Sequence, residues 1–229
     1  MKFRNYLPAL LLSLLVFGCQ PQSEKKTEES QDSQEEVAVA EAPVVAEAAT
    51  ILNPNLASEE ELSSVGLTAE QVATIVSGRP HLDGAVFARA LKEMTGDNYE
   101  VVAEKLFLSM NLNTTDEDDF KLVPGVGDKM AHEFEEYRPY TSVAQFRREI
   151  GKYVDEEQVL KYESFVFVPV NLNTAPKEQI LMIPGVGEKM HHEFEEYRPY
   201  ENIEQFRREI GKYVDDQELA RLERYVTLD

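Results

Sequence analysis

Apolar positions in the last sixty residues recur at helical spacing. Ile180, Leu181 and Ile183 form a short apolar face that stops at Pro184. Met190, Phe194 and Tyr197 then fall at i, i+4 and i+7, one stripe of a helix ended by Pro199. Ile203, Phe206 and Ile210 make a second stripe, with Gly211 as its stop. Asp215 followed three residues later by Glu218 is a helix-start pair, and Leu219, Leu222 and Val226 continue from it. No stretch alternates convincingly as a strand. The predicted fold class is all-α.

The pattern is repeated. Residues 111–169 align with 171–229 at an offset of 60 without a gap, identical at 32 of 59 positions. Asn111-Leu112-Asn113-Thr114 matches Asn171-Leu172-Asn173-Thr174, and Pro124-Gly125-Val126-Gly127 matches Pro184-Gly185-Val186-Gly187. Asp155 with Gln158 repeats the helix start of Asp215 with Glu218. A weaker copy spans 53–110, where Asn53, Leu62, Val65-Gly66, Arg79-Pro80 and Phe87 fall near the corresponding places. A fixed period means one supersecondary unit used three times. The expected division is 51–110 (degenerate), 111–170 and 171–229. Units of about 60 residues are marginal alone, so they are expected to share interfaces. The two well-matched copies, 111–229, are expected to fold when expressed alone.

The chain begins differently. Lys2 and Arg4 precede an apolar run from Leu7 to Phe17, and Gly18 and Cys19 close it. This is the pattern of a secretory signal, and the run is shorter than the roughly 20 residues a bilayer span needs. Val16-Phe17-Gly18-Cys19 resembles the lipobox of bacterial lipoproteins. That resemblance implies cleavage before Cys19 and lipidation of Cys19, leaving 1–18 as the signal peptide. Residues 20–50 carry 2 basic and 8 acidic side chains and no aromatic one, which predicts a disordered acidic linker over 19–50. The expected location is the bacterial cell envelope. Gln20, not aspartate, after the cysteine points to an outer membrane, with the protein facing the periplasm or the surface.

Candidate chemistry lies at the Pro-Gly-Val-Gly turns. Glycines there permit positive φ and close approach, and the helix that follows offers free amides and a dipole to an anion. Gly125, Val126, Gly127 and Lys129, with Gly185, Val186, Gly187 and Lys189, are therefore candidate phosphate-binding residues. The string Asn-Leu-Asn-Thr, about ten residues, Pro-Gly-Val-Gly-x-Lys and then Tyr-Arg resembles tandem helix-hairpin-helix domains. The branch in question includes the competence DNA receptor family and the extrinsic subunit U of photosystem II. The resemblance implies a non-catalytic fold that holds DNA by its backbone, or one that serves as a structural subunit. Departures exist. Ile150-Gly151-Lys152-Tyr153 and Ile210-Gly211-Lys212-Tyr213 replace a second Gly-x-Gly hairpin, His191 stands where the other copy has Ala131, and Ser64-Val65-Gly66-Leu67-Thr68 replaces the first unit's hairpin. The first unit is not expected to bind phosphate.

Charge complicates a DNA partner. The chain has 23 basic and 43 acidic residues, a net charge of −20, whereas nucleic-acid domains usually show a basic footprint. Arg147, Arg148 and Lys152, and again Arg207, Arg208 and Lys212, either gather into a basic patch or pair with neighbouring glutamates. Tyr137, Tyr140, Tyr197 and Tyr200 either stack on bases or close the helix core, the second reading being favoured. His132–Glu136, His192–Glu196 and His191–Glu195 fall at i, i+4, but each pair falls short of the ligands zinc needs, so no metal site is expected. No nucleophile–base pair or nucleotide loop is present, and neither an enzyme activity nor a cofactor is expected. Two functions remain. One is a membrane-anchored module binding double-stranded DNA non-specifically. The other is an envelope protein-protein interaction or scaffold protein.

Overall fold

The computed structural model describes residues 51–228. The expected signal peptide 1–18, lipidation site Cys19 and linker 19–50 lie outside the described residues. What is described is mostly helical, in three successive units of like construction. The first contains α1 (Glu59–Ser64), α2 (Ala69–Ser77), α3 (Gly84–Thr95), a 3-10 turn (Gly96–Asn98) and α4 (Tyr99–Ala103). The second runs β1 (Met110–Asn111), α5 (Glu117–Phe120), α6 (Asp128–Glu136), α7 (Val143–Ile150), α8 (Glu156–Glu163) and β2 (Val166–Phe167). The third runs β3 (Val170–Asn171), α9 (Lys177–Leu181), α10 (Glu188–Glu196), α11 (Ile203–Ile210), α12 (Asp216–Glu223) and β4 (Val226–Thr227).

The mostly helical structure agrees with the all-α expectation, to which a few two-residue strands are added. Each unit is closed by a parallel bridge between its first and last residues. Met110 faces Val166 and Asn111 faces Phe167, while Val170 faces Val226 and Asn171 faces Thr227. Leu52 faces Leu106 in the first unit. Two-residue strands are too short to show alternation, so the sequence pattern did not reveal them.

The helix starts behave as read. Asp155 accepts from Gln158 N at 2.9 Å and Asp215 from Glu218 N at 2.8 Å. Gly211 ends α11 as expected and Gly151 ends α7 in the same way, both in a right-handed conformation. Glycine is needed there for space. A Cβ would lie 2.8 Å from Arg147 O at Gly151 and 2.6 Å from Arg207 O at Gly211.

The Asn-x-Asn string is an internal brace. Asn113 Nδ2 donates to Tyr140 O at 2.9 Å, and Tyr140 N donates back to Asn113 Oδ1 at 2.7 Å. Asn173 does the same with Tyr200, and Asn55 with His81. The arginine before each Asn partner reaches across the same gap. Arg79 donates to Pro54 O at 2.7 Å, Arg138 to the carbonyls of Leu112 and Thr115, and Arg198 to Ala175 O at 2.9 Å. These arginines precede cis prolines in all three units. The first unit thus keeps the brace although its hairpin sequence has diverged.

Burial does not follow the repeat boundaries. One continuous core runs from Ala57 to Val166 through the first and second units, and a separate one runs from Leu172 to Val226. Phe107 and Phe165 meet edge to face at 5.1 Å between the first two units, and Tyr99 hydroxyl donates to Leu122 O at 2.5 Å. Within the second unit Phe134 packs on Phe120, Phe146 and Tyr162. Each such ring contributes about 1.5–3 kcal/mol by leaving water. A cut at 111 therefore divides a core, contrary to the expectation that 111–229 folds alone.

The third unit meets the others through both apolar and polar contacts, with the Phe167 ring of the second unit 4.8 Å from that of Tyr225 in the third unit's core. Arg224 donates to Leu82 O at 2.9 Å and to Ser109 O at 2.8 Å, and its guanidinium lies 5.0 Å from the Phe167 ring and 4.6 Å from that of Tyr225. Asn53 donates to Tyr225 hydroxyl at 3.4 Å.

Candidate functional site

The Pro-Gly-Val-Gly turns join α5 to α6 and α9 to α10. Gly125 and Gly185 both sit at φ +80°, which L side chains rarely adopt. Val126 N donates to Val123 O and Val186 N to Ile183 O, each at 3.0 Å, closing the turns. Val126 and Val186 are buried. Their side chains fasten the turn tips to the core, so only their backbone can meet a ligand.

Gly127 and Gly187 are exposed and form the N-caps of α6 and α10, with no side-chain cap. A Cβ at either would meet nothing within 4 Å, so the approach is open. The other described helices of eight or more residues are all capped, by Thr68, Asp83, Ser142, Asp155, Asn202 and Asp215. Capping is the rule in this chain and the hairpin helices are its exceptions. Their first amides lack intrahelical partners and, with the helix dipole, favour an anion.

The first unit makes the same turn, with Gly66 at φ +95°. There Thr68 accepts from Gln71 N, and Gln71 reciprocates to Thr68 N at 2.8 Å. The amides that the other units leave open are satisfied by side chains here.

Acidic residues crowd the open ends. Asp128 and Glu188 occupy the first helical positions, each tied at 2.7 Å to a lysine of the preceding segment, Lys121 and Lys177. Those partners hold Glu188 below the usual carboxylate range and raise Lys177. Lys129 is exposed, with Nζ 5.6 Å from the Tyr153 ring centroid. Lys189 is exposed and makes no ion pair or ring contact among the described residues.

The candidate basic patch is paired. Arg147 grips Glu163 with two nitrogens, and Arg207 grips Glu223 at 2.7 and 2.5 Å. Glu149 takes both Arg148 and Lys152, and Glu209 takes both Arg208 and Lys212. Lys152 and Arg148 hold the Glu149 carboxyl below its ordinary range, and Glu163 raises Arg147. Of the two sequence readings, pairing with glutamates is the one the side chains adopt.

Tyr140 and Tyr200 are buried against Phe146 and Phe206 and are not available to stack on a ligand. His132 turns to Glu117 at 3.1 Å instead of Glu136, and Glu117 raises its pKa. His192 lies 3.9 Å from Glu196, and His191 is buried 3.4 Å from Glu195. Among the described residues no group of three or more His, Cys, Asp or Glu is placed to hold a metal ion. None of their helices is long and apolar enough to cross a membrane.

Sequence reasoning missed a pair of buried carboxylates. Glu133 and Glu193, each within a Glu-Phe-Glu-Glu run, are only 7% and 8% exposed, and Oε2 of each has no hydrogen-bond partner. Beside them Tyr137 and Tyr153 share a hydroxyl hydrogen bond of 2.7 Å, as Tyr197 and Tyr213 do at 2.9 Å. Tyr153 and Tyr213 belong to the Gly-Lys-Tyr segments that replace a second hairpin, and their identity in both copies was the available signal.

No family model, curated protein or solved structure matches this chain.

Proposed function

We propose that this protein is a non-catalytic, membrane-anchored module of tandem helix-hairpin-helix units, and that its second and third units each hold a phosphate of a DNA backbone without sequence preference. The carrying observation is the pair of uncapped helix starts at Gly127 and Gly187 in a chain that caps its other long helices. Gly125, Val126 and Gly127, with their third-unit equivalents, supply backbone; Lys129 and Lys189 supply charge. Lipidated Cys19 and the acidic linker hold the module to the envelope, at an outer membrane facing the periplasm or the surface.

With the arginines paired, few phosphates are engaged, so binding is weak and strongly salt-dependent. Two contacts correspond to a slope of about −1.8 in log K against log salt. The test is fluorescence anisotropy of a labelled duplex with the full chain in detergent at low salt. Lys129→Glu with Lys189→Glu abolishes binding with the helix content unchanged. Asp128→Asn with Glu188→Gln strengthens it, because each removes a carboxylate from a helix start. Binding that survives the double lysine variant refutes the hairpin site. For the anchor, cells fed a labelled fatty acid label the wild type and not Cys19→Ala.

A second reading, a scaffold that binds an envelope protein, has its own support. A cleft of about 420 Å³ lies between the second and third units, with Val143, Phe167, Val168, Pro169 and Met182 in its walls. Met182 is 65% exposed. Absence of DNA binding at low salt with the fold intact, together with specific capture of an envelope protein that Met182→Glu abolishes, decides for this reading.

A further inference from the structure

Beside each open hairpin stands a feature that the first unit lacks. Tyr153 leaves the end of α7 and returns against α6, where its ring lies 6.4 Å from that of Tyr137 at 52°. Tyr213 and Tyr197 repeat the arrangement at 6.5 Å and 50°. Lys152 Nζ lies 4.8 Å from the Tyr137 ring and Lys212 Nζ lies 5.1 Å from that of Tyr197. The hairpin lysine Lys129 lies over Tyr153. The buried Glu133 and Glu193 help to raise the Tyr153 and Tyr213 hydroxyls above their ordinary range. Rings so braced still present 37% and 41% of their surface to solvent, more than any other tyrosine or phenylalanine among the described residues.

Copying across units makes this more than a surface accident. Relative to the shared Arg-Pro, the first unit has Gly78 where the others have Tyr137 and Tyr197. It therefore lacks the tyrosine pair, and its hairpin helix is capped by Thr68. The two units with open helix starts have the exposed, lysine-flanked tyrosines; the unit with a closed start has neither. A backbone-only site for an intact duplex has no use for an exposed ring, because stacked and paired bases offer no face to it. An unpaired base does, and base–aromatic stacking is sequence-tolerant. Of the ring lysines, Lys152 and Lys212 are held by Glu149 and Glu209, and Lys129, over Tyr153, is the one whose ammonium matches the charge of such a strand.

Building on the phosphate reading of the hairpins, we infer that the tyrosine pairs are stacking platforms, and that the preferred ligand is nucleic acid with unpaired bases, a single strand or an overhang. Lys129 moves from the ring to the phosphate as the base takes its place.

Because the chain contains no tryptophan, tyrosine emission reports stacking directly. The full chain in detergent is titrated with a 16-nucleotide single strand, with the same sequence as a duplex, and with inorganic polyphosphate, which has charge but no bases. The expected result is tighter binding of the single strand, with quenched tyrosine emission. Tyr153→Leu with Tyr213→Leu weakens the single strand about tenfold per ring, the lower range for one stacked base. The same change leaves duplex and polyphosphate affinity in place, and Tyr153→Phe with Tyr213→Phe retains most of the single-strand affinity. Equal binding of single strand and duplex, unaffected by the leucine pair while polyphosphate still competes, overturns the platform and leaves the phosphate site standing. No binding of any of the three probes overturns both.

Discussion

Arg224 is a principal polar attachment of the third unit. Burial pushes its pKa down, so the guanidinium has given up hydration to reach the Leu82 and Ser109 carbonyls. Arg224→Met keeps the stem against Phe167 and removes both bonds. Charge-assisted hydrogen bonds contribute about 1.5–3 kcal/mol each. The low end applies, because the lost hydration offsets part of the gain, and two bonds then give about 3 kcal/mol. A unit of this size is stable by only about 3–9 kcal/mol, and the third unit has its own core. The loss should therefore uncouple it. Urea unfolding followed by far-ultraviolet dichroism and tyrosine emission should change from one transition to two, the first with the smaller m-value. Arg224→Lys, a point charge without the fork, should lose about half as much. A single transition at the wild-type midpoint in the Met variant, or a Lys variant equal to wild type, would refute this account.

Asn113→Ala should cost about 2–4 kcal/mol, since it strips both backbone bonds of Tyr140, and Asn55→Ala should do likewise in the first unit; thermal unfolding measures both. Residues 51–168 should unfold cooperatively, whereas 111–229 should bind a hydrophobic dye, because Phe165 and Leu122 lose their first-unit partners. Ring NMR should place the His81 and His132 titrations on opposite sides of the ordinary value of about 6.5. Burial lowers His81, whose contribution to stability is present above that value and lost as pH falls through the folded pKa. Glu117 raises His132, whose contribution is present below that value and lost as pH rises through the folded pKa, and Glu117→Gln should return it to normal.

The sequence was legible where chemistry is local. Stripes such as Phe194 with Tyr197, and starts such as Asp215 with Glu218, involve residues within two turns and fell where spacing put them. It was opaque where partners are distant. Asn113 and Tyr140 are 27 residues apart, so a brace looked like a family signature. The pairing of Arg147 with Glu163 spans 16 residues and crosses from one helix to another. Glu133 lay among surface-like glutamates, and nothing in Glu-Phe-Glu-Glu says which carboxylate turns inward. The hairpin glycines were read correctly as turn residues. That Thr68 closes the first unit's helix follows from a Thr-x-x-Gln start that was passed over.

The parallel bridges give the module a mechanical character. The chain enters and leaves each unit along two neighbouring strands that point the same way, so tension between its ends pulls those strands in opposite directions along their axes. The bridge is loaded in shear and the helices are outside the load path until it fails. The hydrogen bonds of each bridge stand first in line. Leu52 N to Lys105 O and Phe107 N to Leu52 O serve the first, Met110 N to Phe165 O and Leu112 N to Phe167 O the second, and Val170 N to Tyr225 O and Leu172 N to Thr227 O the third. The bonds of a bridge must break together under such a load, so three small clasps in series resist a tug at the chain ends better than the same bonds peeled one at a time.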